Sequence, residues 1–324
     1  MKMFSLYRYK DTDLEKVLNT VDSINDWAEI ENDPITDESL EFKFSVNQSY
    51  NVKLLDENKK VLFLEFRNEK LSDKHKYNPD IKKRIRRNDS EIVLFEEGTD
   101  VIVVPLRGKN FTTGSLIRTA LNINKDKILL NNDFEFNDDF FYWIFNRYLN
   151  NDGTISSNDE FLEVTSLTSF SGETRDTVNK IVGDGTRISE ILWTLAFLFT
   201  NETLKSITPE IKHQVKTSEE SVSEIIKLDL TLTGSYKIDI SNHIGSRLFT
   251  SDTHEKTCYL ILYTYDILIP KLKEFYHDDL NTLSWSPQIK KQFISSIGSE
   301  IQDQVNQALI EIESEVQKEF LNRD

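Results

Sequence analysis

The sequence at the C-terminal end of the chain constrains the possible folds more than any other part does. Residues 289–321 carry apolar side chains at steps of mostly three and four, without proline and with Gly298 as the one weak helix former. This spacing predicts a single long amphipathic helix. A helix of this length with a narrow apolar stripe either packs along a domain or pairs with a second copy of itself. Both alternatives stay open, and the second predicts a homo-oligomer formed through the C-terminal helix.

Shorter patterns earlier in the chain indicate strands as well as helices. Residues 12–27 have helical spacing, whereas residues 40–46 alternate apolar and polar side chains as a strand does. Strand-like runs bounded by turn residues follow at 50–55, 61–66, 91–95 and 100–106. Beyond them, residues 138–149, 188–204 and 259–276 predict helices, residues 161–170 a strand and residues 224–240 a hairpin.

We therefore expect an α+β fold with a small N-terminal antiparallel sheet and helices. A helix-rich region with a β-hairpin and the long amphipathic helix would follow. The length of 324 residues favours two domains. We place an α+β domain with a basic helix at residues 1–112 and a mixed, mainly helical domain at residues 113–324. The boundary falls in the polar, glycine-bearing residues 107–115.

One short segment differs sharply in charge from the rest of the chain. Residues 74–87 contain seven basic side chains and one acid, Asp80, so the segment carries +6 while the chain as a whole carries −16. The remaining residues therefore carry −22. The run Asn78-Pro79-Asp80 predicts the start of a helix, with Asn78 as its cap. The basic residues are Lys74, Lys76, Lys82, Lys83, Arg84, Arg86 and Arg87.

This basic segment is the candidate binding site of the chain. Lys and Arg side chains neutralise phosphates and release counterions, so the seven residues predict contact with nucleic acid. A surface helix that neutralises nearby acids, or that docks an acidic protein partner, explains the same pattern. The acidic remainder disfavours non-specific binding of nucleic acid or membrane by the whole surface.

The sequence carries no recognisable metal or nucleotide motif. No two histidines have H-x-x-x-H spacing, and the single cysteine, Cys258, cannot build a thiolate zinc site. No P-loop and no complete G-x-G-x-x-G pattern occurs. We expect no metal, no cofactor and no catalytic residue that these patterns could name. A lone cysteine in an apolar run predicts a buried, inert thiol in a cytoplasmic protein, and no apolar stretch is long enough for membrane insertion.

One alternative function rests on the spacing of Glu and Lys. Glu41-Phe-Lys43 and Glu210-Ile-Lys212 have the E-x-K pattern of metal-dependent nucleases, in which carboxylates hold Mg²⁺ and a lysine orients water. Alternating charges on a solvent-facing strand produce the same pattern. The first hypothesis is thus a non-enzymatic interaction and assembly protein that contacts nucleic acid, in a prokaryotic multi-component system such as phage defence. The alternative is a metal-dependent nuclease with an unrecognised carboxylate site.

Overall fold

A computed structural model gives the fold of two compact units that interleave along the sequence. The structure describes residues 2–4, 6–106, 113–130, 134–150, 154–156, 160–173, 180–184, 196, 200, 203–216, 221–234, 236–247 and 252–321. Unit 1 comprises Met1–Glu135, Thr233–Asn242 and Arg247–Ile267. Unit 2 comprises Phe136–Leu232, His243–Ser246 and Leu268–Asp324. Within the described ranges, no helix is long and apolar enough to cross a membrane.

Unit 1 is built on an antiparallel sheet in the order β13-β1-β6-β5-β4-β3, with β2 lying between β6 and β7. Its centre is the pair β4–β5, whose ladder runs without a bulge from Val61↔Phe95 to Leu71↔Ile85. The strands are β1 (Lys2–Phe4), β2 (Tyr7–Tyr9), β3 (Phe42–Leu54), β4 (Glu57–Leu71), β5 (Ile85–Glu97), β6 (Asp100–Leu106), β7 (Ile128–Leu130) and β13 (Tyr236–Ile238).

Both faces of the β4–β5 pair are buried around its centre, which explains why β4 is apolar without interruption from Val61 to Leu64. On one face, Leu62 and Leu64 pack in a core with two helices, α1 (Leu14–Asp22) and α4 (Thr113–Ala120). On the other face, Phe63 stacks on His254, with ring centroids 4.1 Å apart. His254 lies on the helix Thr253–Tyr263. Two short helices complete this part of unit 1, α2 (Ile24–Trp27) and α3 (Ile81–Arg84).

Unit 2 contains a second antiparallel sheet, so the prediction of a helix-rich C-terminal region is wrong. Its order is β10-β9-β11-β12, with β8 against β9 and β14 against β12. Strand β11 was not predicted from the sequence. Pro209 and two further irregularities shift its register, and these shifts remove the alternation of apolar residues that would indicate a strand. The strands are β8 (Thr154–Ser156), β9 (Glu160–Glu173), β10 (Lys180–Asp184), β11 (Thr203–Lys216), β12 (Ser221–Thr231) and β14 (Ile244–Gly245).

The helices of unit 2 include the two most strongly predicted ones. The aromatic helix α5 (Asp138–Leu149) is buried, and its cap is Asn137, whose side chain accepts a hydrogen bond from the backbone N–H of Phe140. The predicted C-terminal helix is confirmed as Pro287–Leu321. Its first turns bury Phe293 and Ile297, whereas Val305, Leu309, Ile310 and Ile312 are exposed. The helix Ile269–Asn281 precedes it. The helix predicted at 188–204 lies mostly outside the described residues.

Candidate nucleic-acid interface

The basic segment connects β4 to β5 and is not the helix that the sequence predicts. Only one helical turn forms, α3, and its cap is Asp80 rather than Asn78: the Asp80 side chain accepts from the N–H of Lys82 at 3.0 Å. From Ile85 the chain is already β5, because the alternating residues after it pair with β4. We call residues 72–87, which comprise this connection and the first three residues of β5, the basic loop.

Arg84 lies at the base of the basic loop and is buried, with 3% of the residue exposed. Its guanidinium donates from Nε and Nη2 to the Asp33 carboxylate, at 2.8 and 2.7 Å. Nη1 donates to the backbone carbonyls of Asn78 and Pro79, at 3.1 and 3.0 Å. Arg84 therefore shapes the loop from within and cannot contact a phosphate, so its prediction as a nucleic-acid contact is at odds with its position.

Asp33 lies in the segment before β3, between the bridged residues Asn32 and Ser39. Its carboxylate also accepts from the backbone N–H of Ile35 and from the hydroxyl of Thr36. The hydrogen bonds from Arg84 are the main reason that the pKa of Asp33 falls to about 2, and the same bonds raise the pKa of Arg84. A charged pair held on both sides by further hydrogen bonds fixes the geometry of the loop.

The other six basic side chains are exposed. Two large apolar side chains stand among them: Tyr77 is 73% exposed and Ile81 is 53% exposed. An aromatic ring between cations is what a surface that stacks unpaired bases requires. The exposed cations are Lys74, Lys76, Lys82, Lys83, Arg86 and Arg87.

The basic surface continues onto the two strands. Lys70 of β4 lies opposite Arg86 of β5 in the ladder, so the two side chains share one face of the sheet. On the other face, Arg87 donates to Asp89 at 3.1 Å and is partly neutralised there. The positive charge is thus strongest along the loop and on the face that carries Lys70.

The E-x-K pattern of the nuclease alternative lies on the opposite face. Lys43 and Arg67 both contact the Glu41 carboxylate, at 2.6 and 3.0 Å, and their hydrogen bonds lower its pKa. Arg67 also donates to Asp89 at 2.7 Å. In the second pattern, Glu210 accepts from Thr165 at 2.9 Å. Both carboxylates are engaged by neighbouring protein groups, as on an ordinary polar strand.

Titratable side chains elsewhere in the described ranges form pairs rather than metal-binding groups. Across those ranges, no cluster of three His, Cys, Asp or Glu side chains could hold a metal ion. In unit 2, the Glu160 carboxylate contacts His213 at 2.7 Å and Lys271 at 3.1 Å. Cys258 is buried, and that burial raises the pKa of its thiol.

One unusual residue near the basic loop was not identified from sequence patterns. Asn68 of β4 is completely buried, and neither its side-chain oxygen nor its nitrogen has a hydrogen-bond partner in the described part of the chain. Residues two apart on a strand share a face, so Asn68 follows Leu64 and Phe66 on the apolar face of β4. A polar residue continuing an apolar alternation was the signal that could have identified it.

Comparison with known proteins adds no family to this description. The sequence matches no protein-family model and no curated protein.

Proposed function

We propose that this chain is a non-enzymatic interaction protein that contacts single-stranded nucleic acid through the basic loop. The observation that carries the proposal is the exposure of six cations together with Tyr77 and Ile81 on a loop fixed by the buried Arg84–Asp33 pair. The setting we propose is the cytoplasm of a prokaryote, within a multi-component system such as phage defence.

Physical principles favour this reading over an internal neutralising role. Within the described residues, the ion pairs of the loop involve Arg84 with Asp33 and Arg87 with Asp89. The four lysines of the loop form no ion pair in that same part of the chain. An exposed tyrosine supplies a stacking surface for any base, and stacking contributes about 1–3 kcal/mol per base.

The test is the binding of a fluorescently labelled single strand at several salt concentrations. Contact with several phosphates predicts a linear fall of log K with log salt, with a slope of about −0.7 per phosphate contacted. The double variant Lys82→Glu and Lys83→Glu should weaken binding at least about tenfold and make the slope shallower by about one unit or more. Tyr77→Ala should weaken binding with little change of slope, because stacking releases no counterions.

A matched control lies at the other end of the same sheet. Lys125 and Lys127 are exposed, and Lys127 accepts a backbone hydrogen bond from Lys10 near the β5–β6 turn. β5 spans roughly 40 Å at about 3.3 Å per residue, so this control is remote from the loop. Lys125→Glu with Lys127→Glu makes the same charge change and should leave binding nearly intact. Equal losses in both variants, or no binding by the wild type at low salt, would refute the proposal.

A second function, self-assembly, is favoured by the exposed part of the C-terminal helix. Leu309 is 53% exposed, Ile310 65% and Ile312 56%. The stripe Ile301, Val305, Ala308 and Ile312 advances by four, three and four residues, which is the spacing of a coiled-coil seam. We propose a second copy of this helix as its partner, which makes the protein a homo-oligomer.

No observation on the described residues supports the alternative of a metal-dependent nuclease. Strand cleavage that requires Mg²⁺ or Mn²⁺ and is lost in Glu41→Ala would establish it against the proposal made here.

A further inference from the structure

Three successive hydrogen bonds hold the backbone of the basic loop. The N–H of Ser72 donates to the carbonyl of Arg84 at 2.7 Å and closes the base of the loop. The N–H of His75 donates to the carbonyl of Ser72 at 2.9 Å. The N–H of Asn78 then donates to the carbonyl of His75, also at 2.9 Å. Two consecutive turns therefore meet at His75, and its backbone is fixed on both sides.

The side chains on these two turns form an exposed row. Lys74, His75, Lys76 and Tyr77 follow one another in the sequence, and all four are exposed. In the described ranges, three other histidines form ion pairs and His75 forms none. The row thus contains one side chain, the imidazole of His75, whose charge depends on pH near neutrality.

Five carboxylates lie in the basic loop or contact its ends, and four of them are already engaged. Asp33 and Asp89 are bound by arginines. Asp80 caps α3, and Glu31 accepts a hydrogen bond from a backbone N–H of β4 at 3.5 Å. The exposed cations of the loop therefore surround His75 with a single remaining acid, Asp73.

A phosphate beside the ring of His75 would supply the missing negative charge. A protonated imidazole is a cation with two N–H donors. Phosphate oxygens accept charge-assisted hydrogen bonds from such a ring and favour its charged form. A strand whose base stacks on Tyr77 would bring its phosphates past the same row. Proton uptake by the ring and binding of the strand then strengthen each other.

We propose that His75 is a proton-dependent phosphate contact of the bound strand, so that the protein binds nucleic acid more tightly at mildly acidic pH. This inference rests on the proposed function and names a regulation of the same site. The proton comes from solvent and stays on the imidazole while the phosphate is bound. Histidine is the side chain that changes charge in this pH range, so the lysines and arginines of the loop contribute affinity without this pH dependence.

The experiment measures binding of a labelled single strand at about pH 8 and about pH 6, each over a series of salt concentrations. We expect the wild type to bind at least about fivefold more tightly at the lower pH. The slope of log K against log salt should become steeper by up to about 0.7, because one more phosphate is neutralised. The change of slope identifies a new phosphate contact, which a change in the shape of the loop would not produce.

Two variants assign the effect to His75. His75→Gln keeps a polar side chain that takes up no proton, so its affinity should be nearly the same at both pH values. His75→Lys carries its charge at both values and should bind at pH 8 about as tightly as the wild type binds at pH 6. Both variants keep the two turns, because the hydrogen bonds of the turns are made by the backbone. Thermal unfolding verifies that each variant is folded.

His277 provides the matched control. It is exposed on the helix Ile269–Asn281 of unit 2. His277→Gln makes the same substitution outside the basic loop and should retain the full pH dependence of binding.

The outcomes separate this inference from the proposed function. If the wild type binds equally tightly at both pH values and the Lys82→Glu, Lys83→Glu variant still loses binding, the inference is wrong and the proposed function stands. A pH dependence that persists in His75→Gln would overturn the assignment to His75. If no strand binds at either pH, both proposals fail.

Discussion

At the residue scale, Arg84 has a different role from the one its charge suggests. Its donors join two parts of unit 1: the Asp33 carboxylate and the backbone carbonyls of the basic loop. A buried arginine saturated by carboxylate and carbonyl oxygens fixes geometry. The other basic side chains of the loop can therefore remain exposed, because the loop does not depend on them for its shape.

The ion pair makes part of the stability depend on pH. The pKa of Asp33 falls from an ordinary 3.8 to about 2 in the folded chain, so the contribution of the pair is complete above pH 3.8 and is lost as the pH falls through about 2. Asp33→Asn should be less stable than the wild type at pH 7, and the difference should shrink between pH 4 and 2. Urea unfolding across this pH range measures both quantities.

The neighbouring Asp37 provides the control for this prediction. It is exposed and adopts a left-handed backbone that asparagine tolerates, with φ of 58°. Asp37→Asn should leave stability at pH 7 almost unchanged. A constant difference between Asp33→Asn and the wild type from pH 7 to 2 would show that the Asp33 charge does not stabilise the fold.

Two glycines with left-handed backbone separate conformational strain from steric contact. Gly98 has φ of 64° and open space around the Cβ position, whereas at Gly234, with φ of 76°, a Cβ would lie 2.9 Å from the backbone carbon of Phe134. Gly98→Ala should cost about 1 kcal/mol from strain alone. Gly234→Ala should cost about 3 kcal/mol in the free energy of unfolding. Equal losses in urea unfolding would contradict the contact at Gly234.

At the scale of elements, sequence patterns predicted helices better than they predicted sheet order. The C-terminal helix and α5 could be predicted from the sequence because each keeps one periodicity over many residues. The helix predicted at 259–276 is interrupted: a π-helical segment at Thr264–Leu268 precedes Pro270, which lies in the first turn of the next helix.

Sequence patterns failed where distant contacts decide the element. The basic loop contains helix-favouring signals, but the pairing of Ile85 with Leu71 ends the helix after one turn. Six of the seven predicted contact residues are exposed as expected. Arg84 could not be distinguished from them, because its partner Asp33 is 51 residues away in the sequence.

The exposed half of the C-terminal helix leads to a prediction for assembly. Leu309→Gln with Ile312→Gln removes apolar area but no charge, and it should raise the dissociation constant of the oligomer at least about tenfold. Gln307→Ala with Ser314→Ala alters the opposite side of the same helix without changing its charge and should leave the mass unchanged. Sedimentation or light scattering over a concentration series measures the effect. A monomeric wild type at all concentrations would contradict self-association.

Salt should act on this assembly in the opposite sense from nucleic-acid binding. The exposed part of the helix carries Asp303, Glu311 and Glu313 without a lysine or arginine between them. Two such helices repel each other, and salt screens that repulsion. Self-association should therefore strengthen between low and moderate salt while strand binding weakens.

At the scale of the whole molecule, unit 1 is completed by residues that follow Phe136–Leu232 in the sequence, which is the first segment of unit 2. Strand β13 pairs with β1 from Lys2↔Ile238 to Phe4↔Tyr236. The helix Thr253–Tyr263 covers the face of β4 that carries Phe63. A contiguous N-terminal piece lacks both, although its own strands β3 to β6 are complete.

The predicted domain at residues 1–112 can be tested directly on this basis. We expect the fragment to lack a cooperative unfolding transition, because Phe63 and its neighbours on that face would be exposed to water. Urea unfolding followed by circular dichroism, with the full chain as the control, measures this. A sigmoidal transition in the fragment would establish residues 1–112 as an independent domain.

β13 and the helix Thr253–Tyr263 are synthesised long after the strands that they contact, and this order has a consequence during translation. The four central strands leave the ribosome well before residue 267, and translation at about 5–20 residues per second makes that interval roughly 10–30 s. Throughout it, the face of β4 that carries Phe63 has no covering helix. The nascent chain therefore presents an apolar sheet surface to chaperones for far longer than hairpin formation takes, which is about 1–10 μs.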